Sequence, residues 1–247
     1  MAKNMNKQMK KAGIIGGLGP ETTTKFYMEI VLSCSKISGI RPKVIISNVA
    51  IPLDIEKDII TKSKNKERIL PFLLASAIEL EKAGADFIVI PCNTVHVFIE
   101  EIRKSVKIPV LSIIEETADF LMSQNAKSVG LLGTDVTIKE KLFNKKLNKN
   151  GINIIIPNKI SQSKLGIIIN NLVNNQQSEK DKEGLLKIID ILIIKQVDCV
   201  LLACTDLQLL ITNHERIKVF DTMDILAKAT VREILNCGPR GNRTLIP

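Results

Sequence analysis

Two cysteines stand in matching surroundings. Asp86-Phe87-Ile88-Val89-Ile90-Pro91-Cys92-Asn93-Thr94 is an apolar run that ends in a thiol followed by small polar residues, and Asp198-Cys199-Val200-Leu201-Leu202-Ala203-Cys204-Thr205-Asp206 is another. An unperturbed thiol has a pKa of about 8.5, so a modest shift lets a pair share thiol and thiolate near neutral pH. Two such groups on opposite faces of one carbon can take a proton from one side and return one to the other. The strand-tip position should supply the shift, because a helix that follows aims its first amides at the sulfur and favours the anion. Asn93–Thr94 and Thr205–Asp206 are small polar residues suited to starting such helices. Asp206 either accepts a proton from Cys204 or caps the helix after it. His96, one helical turn beyond Cys92, either tunes that thiol or has only a bracing role. The other cysteines, Cys34, Cys199 and Cys237, are scattered over a probable helix, a strand and the chain end, and read as inert.

The elements that must position this pair follow from the apolar periodicity. Ala12–Ile15, Val44–Ser47, Phe87–Ile90, Val110–Ile113, Val129–Leu132, Ile152–Ile156 and Cys199–Leu202 read as short buried strands. Thr22–Ser35, Glu67–Ala83, Glu115–Gln124, Lys139–Asn150, Gln162–Asn174, Glu183–Gln196 and Ile225–Asn236 read as helices. Strands that alternate with helices make an α/β fold with parallel sheets, whose ligands sit at the carboxyl ends of strands. The chain also repeats itself: a strand entering a glycine turn, at Gly13–Gly17 and again at Val129–Thr134, precedes each cysteine by a similar interval. Two similar lobes related by a pseudo-twofold axis are expected, each offering one cysteine to the cleft between them. The expected boundaries are an N-terminal disordered extension over 1–11, a first lobe of 12–112 plus 215–236, a second lobe of 113–214, and a disordered tail over 237–247.

Composition narrows the function classes. Five cysteines in an odd, scattered set do not suggest a disulfide framework, and two histidines make a multi-histidine metal site unexpected. The net charge of +9 invites a nucleic-acid reading, but aromatics are only 3%, which leaves few stacking platforms, and a lysine-rich surface accounts for the excess. No nucleic-acid partner is expected. No apolar run approaches the roughly 20 residues of a membrane span, and a polar, lysine-rich start leads straight into a strand, so no membrane association and a cytoplasmic location are expected.

Taken together, Gly16-Gly17-Leu18-Gly19-Pro20-Glu21-Thr22-Thr23, Pro91-Cys92-Asn93-Thr94-Val95-His96 and Cys204-Thr205-Asp206 resemble the signature motifs of the aspartate/glutamate racemases, in that family's order. Gly133-Thr134-Asp135-Val136-Thr137 and Phe220-Asp221-Thr222 resemble two lesser ones. The resemblance runs from about Ala12 to about Ile234. It implies two Rossmann-like lobes, an amino-acid substrate, catalysis without pyridoxal phosphate or metal, and a homodimer. By motif match Cys92 and Cys204 would be the two bases. Asn93, Thr94, Thr134 and Thr205 would hold the α-carboxylate and amino group. The loop of Gly17, Leu18 and Gly19 would let backbone approach the ligand. That loop lacks the order of a dinucleotide fingerprint and the lysine of a phosphate loop, so nucleotide binding is not expected.

Aspartate is the substrate that family frequency suggests, with glutamate or another amino acid as the alternative. Many aspartate racemases carry an arginine that grips the side-chain carboxylate, yet the matching stretch here is Ile51-Pro52-Leu53-Asp54. Lys180 is a candidate for the second-lobe lysine of those enzymes, and Lys57 or Lys62 could replace the missing charge. Other reactions on the same scaffold are alternatives: hydantoin racemisation, arylmalonate decarboxylation and maleate isomerisation. So is a non-catalytic carboxylate-binding protein.

Overall fold

The computed structural model describes residues 9–59 and 64–236, without the Lys57 side chain. Lys62, residues 1–8 and the expected tail over 237–247 lie outside the described residues. Two parallel sheets organise the chain. In the first, β1 (Ala12–Gly16) lies between β2 (Val44–Asn48) and β3 (Phe87–Val89). In the second, β4 (Ser128–Gly133) lies between β5 (Asn153–Ile155) and β6 (Cys199–Ala203), and β7 (Lys218–Asp221) extends beyond β6. All residues of β1 and β6 are buried, as expected for central strands covered on both faces.

The helices are α1 (Pro20–Ser38), α2 (Leu53–Lys57), α3 (Leu70–Lys82), α4 (Ile99–Ser105) and α5 (Ile113–Ser123), then α6 (Asp135–Lys139), α7 (Asn144–Lys149), α8 (Lys159–Val173), α9 (Glu179–Ile194) and α10 (Thr222–Ile234). Among the described residues, no helix is long and apolar enough to cross a membrane. The apolar side chains form three clusters. One belongs to the outer face of the first sheet, with Leu73 and Leu80 of α3 and Ile102 of α4. Another belongs to the outer face of the second sheet, with Leu165 and Ile169 of α8 and Leu185 and Ile189 of α9. The third is shared: Ile14 and Val89 of one sheet and Leu131 and Leu201 of the other meet α1, α5 and α10 in a single apolar layer.

Four expectations need correcting. The strand Val110–Ile113 is reduced to a single bridge, Val110 to Ile88, because Ser112 then caps α5 by accepting from the Glu115 N–H and Ile113 is already helical. The helix Lys139–Asn150 is broken, since Lys141 adopts a left-handed φ of 53° between α6 and α7. β7, unread in the sequence, hydrogen-bonds to β6, so residues 218–221 belong to the second sheet and not to the first lobe. The repeat explains this: β7 stands beside β6 as Val110 stands beside β3, and α10 follows β7 as α5 follows Val110. Finally, the end of the expected N-terminal extension is held by the fold. The Lys10 N–H donates to the Ile234 carbonyl at 2.9 Å and the Lys11 N–H to Asp86 at 2.6 Å.

Leu226 of α10 is fully buried in the shared layer. Leu226→Ala should lower unfolding free energy by about 2–5 kcal/mol, the usual cost of deleting a buried leucine side chain. Guanidinium unfolding followed by circular dichroism measures it, and a loss inside experimental error would show that this layer does not hold the sheets together.

Candidate active site

Cys92 follows β3 after Ile90 and Pro91, and its N–H donates to the Ile90 carbonyl at 2.8 Å, a tight turn at the carboxyl end of the sheet. Cys204 follows β6 directly. The two cysteines, one from each sheet, line the same cavity, which holds about 560 Å³ of empty space including its open mouth. Leu18, Gly19, Asn93, Thr94, Thr134, Thr205 and Asp206 line it as well, so most of the expected site residues converge.

Hydrogen bonds tie the two halves of this cavity together. The Thr22 hydroxyl at the start of α1 donates to Asp206 Oδ1, while the Cys204 thiol donates to Asp206 Oδ2 at 3.8 Å. Asp206 therefore joins the first lobe to the cysteine of the second. Its side chain makes no helix-capping bond, which removes the capping role. Thr94 Oγ1 lies 3.0 Å from Thr134 Oγ1, and Thr134 in turn caps α6 by accepting from the Thr137 N–H. Asn93 Nδ2 donates to Thr222 Oγ1 at 2.8 Å, and the Thr222 hydroxyl donates to the Leu202 carbonyl at 3.0 Å. That relay sets the orientation of the amide: the Thr222 proton is committed to Leu202, so Asn93 must present its NH₂ to Thr222. Among the described residues, Asn93 Oδ1 is left as a buried acceptor with no partner, on a residue only 1% exposed. The Phe-Asp-Thr motif thus has structural work: Asp221 caps α10 through the Met223 N–H and Thr222 carries the relay.

The glycine loop is built for backbone proximity. Gly17 and Gly19 have φ of 80° and 99°, and a Cβ on Gly19 would lie 3.1 Å from Asp206 Oδ1. Gly17 itself, expected at the ligand, is outside the cavity lining; a Cβ there would strike Asn48 Oδ1 at 2.5 Å, so its role is to seat the loop on the strand behind it. His96 does not meet the thiol. Its Nε2 accepts from the Ile113 N–H at 3.1 Å, so Nδ1 carries the proton and donates to the Cys92 carbonyl at 2.7 Å. Burial pushes its pKa down to about 4, which keeps it neutral. His96 is a brace between the Cys92 turn and α5. Lys180 sits exposed in the first turn of α9 and does not line the cavity.

The electrostatics differ from the sequence expectation. Burial pushes the Cys92 thiol up to about 12; amide hydrogen bonds from Val95 and Thr94 pull the other way and lose. Burial also pushes Cys204 up, and the neighbouring charge of Asp206 adds to it. The helices meant to favour thiolate are short 3₁₀ turns, Thr94–Phe98 and Leu207–Leu209, too brief for an appreciable dipole. Burial raises Asp206 as well. Without substrate, both sulfurs rest as neutral thiols at pH 7.

Sequence reasoning missed the rest of the lining: Ile51, Glu56, Ile59, Ile69, Val95, Ile169 and Val173. Glu56 lies on α2, a helix too short to show periodicity, and only two residues past Asp54, where an arginine was sought.

The family model for Asp/Glu/Hydantoin racemase matches residues 15–230. The chain is 29% identical over 229 residues to the broad specificity amino-acid racemase RacX of Bacillus subtilis, covering 90% of this chain and 97% of that one. It is 31% identical over 159 residues to a glutamate racemase of Hydrogenobaculum, 64% of this chain and 59% of that protein. The solved structure of Picrophilus torridus aspartate racemase superposes with a TM-score of 0.79 at 27% identity, covering 96% of this chain and 99% of the other.

Neutral resting thiols have a kinetic consequence. In substrate-free protein, alkylation of Cys92 by iodoacetamide should be slow at pH 7 and rise about tenfold per pH unit through pH 10, following the thiolate fraction. Mass-spectrometric labelling rates test this, and a plateau near pH 7–8 would show a stabilised thiolate instead.

Proposed function

Since this chain belongs to the Asp/Glu/Hydantoin racemase family and is an amino-acid racemase, we propose that Cys92 and Cys204 are its two proton-transfer groups, acting on opposite faces of the substrate α-carbon. The observation that carries this reading is the shared cavity: two cysteines delivered by two different sheets line one space. In this reading the α-ammonium sits against the unpartnered Asn93 Oδ1 and beside Asp206, while the hydroxyls of Thr94, Thr134 and Thr205 take the α-carboxylate. The substrate brings the positive charge that the cavity lining lacks among the described residues. A cation close to a buried sulfur lowers the cost of its anion, so thiolate forms as substrate binds.

Asp206 accepts the Cys204 proton through the 3.8 Å contact already present, leaving a thiolate that removes the α-proton from its face. Cys92, still a thiol, donates a proton to the opposite face. The reverse direction exchanges the two roles. The planar carbanion between these steps is stabilised by the hydrogen-bonded carboxylate and the ammonium beside it. No pyridoxal phosphate is called for in this scheme.

Cys92→Ser and Cys204→Ser should each lower racemisation by at least about a hundredfold, the scale of losing one proton-transfer group. Each variant should still exchange the α-proton of one enantiomer with solvent, because one thiol remains. Chiral chromatography with proton NMR in deuterated water reads both effects. Undiminished racemisation in both variants would overturn the two-thiol scheme.

A further inference from the structure

We propose that the aliphatic wall of the cavity selects an amino acid with an aliphatic stem and a cationic end, for which Glu56 is the counter-ion. The inference rests on the racemase reading for the orientation of the substrate, whose reacting end lies among Asn93, Thr94 and the two thiols. The remaining wall is of a different kind. Ile51, Ile59, Ile69, Ile169 and Val173 supply branched aliphatic surface from both lobes, suited to a run of methylenes and offering a carboxylate no donor. One charged side chain, Glu56, interrupts it.

The state of Glu56 indicates the charge it awaits. Its carboxyl is half-buried and, among the described residues, has no hydrogen bond or ion pair. Burial and the nearby charge of Asp206 both push its pKa up, meaning that its anion lacks compensation. Among the described residues, the lining contains no lysine or arginine. An aspartate or glutamate side chain placed here would bring a further negative charge to Glu56 and Asp206 in a poorly solvated space. A neutral aliphatic side chain would satisfy the walls but leave Glu56 uncompensated. An ammonium or guanidinium on a methylene stem satisfies both.

The test compares L-lysine, L-norleucine (a four-carbon stem without the charge) and L-glutamate. Calorimetric binding is measured on the full chain carrying Cys92→Ser, which prevents turnover during titration. Solvent-deuterium exchange is measured on the wild type. Lysine should bind at least about tenfold more tightly than norleucine or glutamate, the scale of one charge-assisted contact. Glu56→Gln, an isosteric change at a half-buried helix position, should collapse the lysine-to-norleucine ratio toward one. A preference for glutamate, a lysine preference that survives Glu56→Gln, or no lysine binding at millimolar concentration would overturn the inference. Selective lysine binding without α-proton exchange would uphold the Glu56 assignment and sink the racemase chemistry. Exchange that favours glutamate would do the reverse.

Discussion

The apolar layer of α1, α5 and α10 has two clients. The inner face of each sheet packs against it, so neither sheet can bury that face without the other. This mutual dependence sets the lobes at one spacing and brings the carboxyl ends of β3 and β6 to the same opening. Hydrogen bonds at the cavity, Thr22 to Asp206, Thr94 to Thr134 and Asn93 to Thr222, add directional contacts between the segments that carry it. Apolar burial supplies the attachment, and directional polar contacts supply the orientation.

The cavity is unbalanced in charge without its ligand. Two thiols, two carboxylates and an unpartnered amide oxygen face a space in which no described lining residue is cationic. Burial therefore holds the sulfurs neutral and raises the carboxyls together. Raising a thiol in this way lowers its reactivity, since the thiolate is the reactive form. His96 contributes by geometry alone: fixed as a neutral tautomer, it ties the Cys92 carbonyl to the first amide of α5 and so links the Cys92 turn to the shared layer.

The second sheet also shows how a repeat can mislead. Because Val110 pairs through one bridge while β7 pairs through four residues, the two halves look unequal along the chain although their strand orders correspond. The Lys-Val-Phe-Asp segment of β7 is short, charged at both ends and at the sheet edge, so neither apolar run nor alternation marks it.

What the residues determined by themselves is the α/β class, most of the strands, the equivalence of Cys92 and Cys204, and the polar set around them. These are local: a strand buried on both faces must be continuously apolar, and a reactive thiol must stand where such a run stops. What only tertiary structure decided is whatever depends on distant chain segments meeting. It moved β7 into the second sheet, reduced His96 to a brace, set Lys180 outside the cavity and brought Glu56 inside it. It also reversed the expected ionisation of the cysteines, because desolvation sums over everything packed around a sulfur, whereas the sequence displays only the few amides that follow it.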